Sequence, residues 1–446
     1  MKSGARNREL LALIPVAALL TAGFAGVFAQ DHAKLGNASL VYGAYFFAIC
    51  LATHIYLRIR LPNADPYLFP LAALLTAIGL VMVYRIDQHL ARDQANWFVI
   101  GLILFALTIQ FLRDYEVLER YRYLIAVGGL LLLLAPRLPG IGQQVNEAYL
   151  GVKIGPIAFQ PAEFSKLAII IFLASYLREN REVLVVGARR VLGVTLPPLK
   201  HFGPILVVWG ASMFMLVFIR DLGSSLMFFA AFLALLYVAT GRFSFVVIGM
   251  VMFVLGAWFF ATTVPHVHER IEIWLHPFND PLESGYQILG SIFSQADGGL
   301  FGKGFGHALI TVPGSPSQTL LPAAQTDMIY ALIVNELGLF GGTGLVLVYL
   351  LVTARGFKIA LLASDGFSKL LATGLTAVFA IQAFVIIGGV TRVIPLTGVT
   401  LPFVSYGGSS IVANFVLIAL LLLVSDRARR EAVEPGGREA LALGAS

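Results

Sequence analysis

The chain has 446 residues, 58% of them hydrophobic and 13% charged, with a mean hydropathy of +0.84. A net charge of +6 would suit nucleic acid in a soluble protein, but many apolar runs here approach the ~20 residues that cross a bilayer. The basic residues are therefore assigned to helix ends and nucleic acid is excluded. The single cysteine, Cys50, excludes an intramolecular disulfide and a cysteine-ligated metal centre, and its apolar surroundings make it a small core residue.

The pattern predicts an all-α polytopic membrane protein with about twelve transmembrane helices and a large extracellular loop. In chain order the spans are Leu10–Ala29, Leu40–Leu57, Tyr67–Tyr84, Trp97–Leu112, Tyr123–Ala135, Ala162–Leu177, Phe202–Ile219, Ser224–Ala239, Phe245–Thr262, Met328–Val352, Leu370–Gly388 and Ser410–Val424. Lys2, Arg6 and Arg8 before the first run resemble a signal peptide, but the run is long and no small-residue cleavage site follows, so an uncleaved helix is expected. The stretch Arg178 to Lys200 is expected to hold an interfacial helix, and the tail 426–446 turns abruptly polar with Arg427, Arg429 and Arg430 at its start.

With the N-terminus inside, most of the 31 Lys and Arg fall in inner loops and tails, which places both termini in the cytoplasm. The polar segment Val264–Thr326 then lies outside, and so do the costly polar residues. Gln160, Glu163 and Lys166 open the sixth span, with Glu163 and Lys166 sharing a helix face. Asp221 opens the eighth span, Asp327 the tenth, with Glu336 further along it, and Ser405 to Ser409 the twelfth. Ionisable residues in a membrane usually mark a pathway or site, and four helix N-termini would point to this same surface. Such a rim, with Lys166 and Arg220 adding charge, suits an anion held at the interface, and a lipid diphosphate has both the charge and the tail for it.

Phe159-Gln-Pro-Ala-Glu-Phe-Ser-Lys166, Asp221-Leu-Gly, Trp274-x-x-Pro-x-x-Asp280-Pro281, Gly285-Tyr-Gln287, Gly298-Gly-Leu-Phe-Gly-Lys-Gly304, Thr326-Asp327, Glu336-Leu-Gly338 and Leu401-Pro-Phe-Val-Ser-Tyr-Gly-Gly-Ser409 occur in this order. Together they resemble the SEDS family, the RodA/FtsW/SpoVE group of cell-wall polymerases, and are more RodA-like through Gly302-Lys303-Gly304. The resemblance implies a ten-helix core over 67–425, with 264–326 as its catalytic loop. Residues 1–66 would then be an N-terminal tail with two additional helices.

The resemblance further implies a peptidoglycan glycosyltransferase that polymerises lipid II at the outer face of the cytoplasmic membrane during cell elongation. Asp280 is then the essential carboxylate and general base, with inversion at the donor anomeric carbon. The substrate contacts would be Gln160, Glu163, Lys166, Asp221, Lys303, Asp327 and Ser405. The resemblance implies no definite cofactor, and a divalent cation, Mg or Mn, would serve beside Lys166. A class B penicillin-binding protein is the implied partner, and lipid II and undecaprenyl-diphosphate-linked glycan are the implied substrates.

Each motif also has a plainer reading. Asp280-Pro281 suits a turn, Glu163 with Lys166 an internal ion pair, and Asp221 and Asp327 helix N-caps. Gly298 to Gly306 lacks the Walker spacing and reads as a flexible loop, Ser405 to Ser409 as a tight turn, and His276 as an exposed loop histidine. The chain departs from the family pattern at Asn146-Glu-Ala-Tyr-Leu-Gly151, Ile219-Arg220-Asp221 and Ala323-Ala-Gln325-Thr-Asp327. A lipid II flippase and a non-catalytic scaffold of cell-wall synthesis are the competing functions.

Overall fold

The computed structural model describes residues 2–30, 38–145, 148–155, 157–186, 189–191, 194–196, 210, 221–312 and 315–432. The expected seventh span apart from residue 210, Arg220 and the polar tail beyond residue 432 lie outside the described residues.

In chain order, α1 (Lys2–Gln30), α2 (Ala38–Arg60), α3 (Leu68–Ile86) and α4 (Gln88–Phe111) are followed by a short α5 (Val117–Arg120) and a 13-residue α6 (Arg122–Leu134). A three-stranded antiparallel sheet, β1 (Gly142–Val145), β2 (Ala148–Ile154) and β3 (Ile157–Phe159), precedes α7 (Pro161–Val186). A two-stranded ribbon, β4 (Arg189–Val191) and β5 (Val194–Leu196), comes next, then α8 (Leu222–Thr240), α9 (Phe243–Thr263), α10 (Pro265–Leu275) and α11 (Tyr286–Gly298). The ribbon β6 (Thr311–Val312) and β7 (Ser315–Thr319) leads to α12 (Ile329–Leu362), α13 (Gly366–Val390) and α14 (Gly408–Glu431).

Among the described residues, nine helices are long and apolar enough to cross a membrane. Helix α6 is shorter than a full crossing, and α7 carries Glu163, Lys166 and a charged end at Arg178 and Glu179. Two expectations change. Instead of an interfacial helix after Arg178, α7 runs on to Val186 and the chain turns back through β4 and β5, where β-branched Val191, Val194 and Thr195 favour extended backbone. The segment 264–326 is also more than a polar loop, because it contains the amphipathic helices α10 and α11.

The chain divides into two compact units. One comprises residues 1–115, 293–372 and 400–446, the other 116–292 and 373–399. In the first, α14 packs along α4 and α3 packs on α1, α4 and α12. Phe415 of α14 meets Phe98, Phe105 and Phe403, and Gly101 lets it approach, since a Cβ there would lie 2.8 Å from its ring. Without water on the lipid side, this close packing rather than burial alone holds such helices together.

The two N-terminal helices are latched to this unit by charge. Buried Glu9 accepts from Arg6 and lies 2.7 Å from His54 Nδ1, while Arg6 also donates to Ala64 O at 2.5 Å. Next to Ala64, fully buried Asp65 accepts from Arg429 at 2.5 Å, and its N–H donates to Ser425 Oγ. In the second unit α6 packs on α7, α7 on α8 and α8 on α9. Gly129 against Ala168 and Gly374 against Ile170 and Leu235 keep these backbones close. Cys50 is buried, as expected.

Candidate functional site

In the second unit, the first turns of α7 present a closed polar ring. Lys166 donates to Glu163 Oε2 at 2.5 Å and to Gln382 Oε1 of α13 at 2.8 Å, and Gln382 donates back to Glu163 Oε1 at 3.3 Å. All three are buried. Each charge thus meets both an opposite charge and an amide, the condition under which an ion pair tolerates a low-dielectric interior. Gln160 is half-buried before α7, its carbonyl accepting from Glu163 N.

Asp221 is the N-cap of α8. Its carboxylate accepts from Ser224 N at 2.9 Å and Ser224 Oγ at 2.6 Å, satisfying an N–H that a helix start leaves open. It lies just outside the apolar span Gly223–Thr240. Burial pushes its carboxyl up, while the Ser224 hydrogen bonds and the Arg270 charge pull it back and the Glu163 charge adds to the rise.

Asp280 stands on the turn between α10 and α11, half-exposed. Its carboxylate accepts from Ser284 N at 3.1 Å, Ser284 Oγ at 3.0 Å and Glu283 N at 3.3 Å. These bonds, those of Ser284 foremost, hold its pKa below the usual aspartate value, because they favour the charged form. The turn closes through Gly285 N to Asp280 O at 2.9 Å. Gly285 has no room for a side chain, as a Cβ would sit 2.1 Å from Pro277 O. His276 caps the end of α10 with its N–H on Glu272 O and is exposed.

Lys303, Asp327 and Ser405 belong to the first unit. The glycine-rich run is not a flexible loop. It is laced to a break in α12, where Gly338 leaves helical geometry at φ 70°. Lys303 N donates to Asn335 O and Gly304 N to Glu336 O, while Leu339 N and Phe340 N donate to Gly299 O and Leu300 O. The loop thereby satisfies the backbone groups that the break releases. Buried Glu336 pairs with Arg85 Nε at 2.7 Å, and Arg85 also donates to Gly306 O and Ala308 O. Lys303 Nζ turns to Asp297 at 2.7 Å.

Ser405 is buried in a turn. Its Oγ donates to Thr326 O at 2.7 Å and accepts from Leu401 N, and Tyr406 N donates to Gln325 O. Asp327 lies one residue ahead of Met328, the N-cap of α12. No group of three or more His, Cys, Asp or Glu with metal-holding geometry occurs among the described residues.

A sequence model describing cell cycle proteins of the FtsW/RodA/SpoVE type matches residues 66–430. The chain belongs to this family. Among relatives within it, peptidoglycan glycosyltransferase RodA of Mycobacterium tuberculosis is 40% identical over 436 residues, covering 95% of this chain and 91% of its own. Stage V sporulation protein E of Bacillus subtilis is 33% identical over 377 residues, covering 82% and 98%. Of solved structures, one chain of a peptidoglycan synthase complex, described as coordinating polymerization and crosslinking, aligns with a TM-score of 0.64 at 26% identity over 82% of this chain and 98% of that one. RodA of Thermus thermophilus aligns at 0.58 and 25%, over 82% and 97%. Helices α1 and α2 precede the matched family segment, and the 95% coverage by the mycobacterial relative reaches into them.

Gln382 and Ser284 are not among the residues that the sequence singles out. A lone glutamine in the apolar run of α13 signals a buried polar partner, and a serine four residues after an aspartate in a turn signals a carboxylate bridge.

Proposed function

We propose that this peptidoglycan glycosyltransferase polymerises lipid II into glycan strands at the outer face of the cytoplasmic membrane during cell elongation, with Asp280 as its general base. The observation that carries this reading is the placement of Asp280: a half-exposed carboxylate, held in one orientation by the Ser284 hydrogen bonds, on a turn between two short helices of the segment assigned to the outside. An ionised carboxylate can take the proton of an acceptor-sugar hydroxyl as its oxygen attacks the donor anomeric carbon. The bond from that carbon to the diphosphate oxygen breaks, undecaprenyl diphosphate leaves with the electron pair, and attack opposite an α-linked donor gives a β linkage.

A diphosphate needs no acid to leave, unlike the alcohol in glycoside hydrolysis, so a second catalytic carboxylate is unnecessary. Its charge must be neutralised. Lys166 is the cation assigned to this task, and because it is buried and paired in the ring it would have to exchange Glu163 and Gln382 for the diphosphate to act. Gln160, Asp221, Lys303, Asp327 and Ser405 remain as substrate contacts in this proposal, although the hydrogen bonds of Asp221 and Ser405 equally explain them as folding groups.

Both termini are assigned to the cytoplasm, and a class B penicillin-binding protein is the proposed partner. The relation to a chain of a synthase complex supports it. Labelled lipid II supplied to the purified protein in vesicles tests the reaction: polymer supports it, whereas transfer of lipid II between leaflets without polymer would favour a flippase, and neither would favour a scaffold.

A further inference from the structure

The C-terminus of α13 ends in a Schellman turn. Val393 N donates to Gly388 O at 2.7 Å and Arg392 N to Gly389 O at 3.1 Å, with Arg392 in the left-handed region at φ 62°. Glycine is the usual residue at that position, because an L side chain is disfavoured there. An arginine kept against its own backbone preference points to work done by its side chain.

That side chain reaches the end of α10. Arg392 Nε donates to Trp274 O at 2.8 Å and Arg392 Nη2 to Leu275 O at 2.7 Å, the last carbonyls of a helix, which have no partner within it. A cation at a helix C-terminus is also favoured by the dipole. Trp274 returns the contact, its Nε1 donating to Arg392 O at 3.1 Å, and Arg270 of α10 donates to Leu396 O at 2.8 Å. On the other side of the Asp280 turn, Ser291 of α11 donates to Val390 O at 2.9 Å. The same helix end therefore holds the element entering the turn and the element leaving it.

We propose that Arg392 is a positioning residue for this glycosyltransferase: its guanidinium, clamped on the Trp274 and Leu275 carbonyls, sets where α10 delivers the turn that carries Asp280. The inference rests on the reading of Asp280 as base. A planar fork with two parallel donors suits two successive carbonyls, and a lysine ammonium does not reproduce it. A small displacement of a base from its reacting atom is felt in the rate, a 1 Å error lowering it by on the order of 100-fold.

The test is lipid II polymerisation by purified, reconstituted protein, comparing wild type, Arg392→Gly, Arg392→Lys, Trp274→Phe and Asp280→Asn. Arg392→Gly keeps a residue suited to the left-handed turn and removes only the clamp. The expected result is a melting temperature close to that of wild type, because relief of the left-handed backbone offsets the two lost hydrogen bonds. Alongside it, kcat should fall by about 10- to 100-fold, with KM for lipid II within about twofold and partial recovery when guanidinium ion is added. Arg392→Lys and Trp274→Phe should fall between. Wild-type kcat in a folded Arg392→Gly protein would overturn the proposal, and so would a loss that tracks melting temperature and is not recovered by guanidinium. Asp280→Asn separates the two claims. If it is inactive while Arg392→Gly is normal, only the positioning role fails, whereas an active Asp280→Asn removes the reading beneath it.

Discussion

Ser284 donates two hydrogen bonds to a single oxygen of Asp280, from its backbone N–H at 3.1 Å and its Oγ at 3.0 Å. Both favour the ionised carboxylate and lower its pKa. Ser284→Ala removes one of them, so the Asp280 pKa rises toward the ordinary aspartate value. The acid limb of the pH profile of kcat/KM, which reports the base in the free enzyme, should move to higher pH. A limb that stays in place or moves down would show that Asp280 is not the group titrating there.

The ring of Glu163, Lys166 and Gln382 predicts a non-additive pattern. Lys166→Met leaves a buried carboxylate unpaired and should destabilise the protein by about 3–5 kcal/mol, whereas Glu163→Gln combined with Lys166→Met should lose less than the single change. Thermal unfolding in detergent measures this. Losses that simply add would mean that the two residues do not form one unit.

The break in α12 depends on glycines that cannot carry a side chain. A Cβ at Gly338 would lie 2.3 Å from Leu300 O and one at Gly302 2.2 Å from Glu336 O, both at positive φ, while Gly299 has open space around it at φ 55°. Gly338→Ala and Gly302→Ala should therefore prevent folding or displace the loop, and Gly299→Ala should cost only about 1–2 kcal/mol for its backbone conformation. Yield and melting temperature of the three variants check the ranking; equal tolerance would contradict the packed loop.

Arg6 connects Glu9 to the Ala64 carbonyl, so it ties the N-terminal helices to the turn before α3. Arg6→Met should lower stability by about 3–5 kcal/mol, since Glu9 stays buried without its cation. The substitution should also speed proteolysis between α2 and α3. An unchanged cleavage rate would argue against the latch.

The membrane class and most spans were legible in the sequence because apolar runs of crossing length leave few alternatives. Short α6 and charged α7 were legible only as apolar runs whose ends the periodicity did not fix. Glu163 and Lys166 were visible as a pair by their spacing, but Gln382, which completes the ring, is distant in sequence and only the fold brings it there. The glycine run was misread as flexible because glycine permits both freedom and close backbone approach, and composition alone does not distinguish a mobile loop from one seated against a broken helix. Arg392 was hidden for the opposite reason: local preference places glycine at a helix end of that shape, so the sequence carries no cue that the turn is there.

The most direct test is polymerisation of labelled lipid II by purified wild type and Asp280→Asn in lipid, each with and without a class B penicillin-binding protein. Wild type should give glycan polymer, and a folded Asp280→Asn protein none, under either condition. Equal polymer from the two would contradict Asp280 as the base.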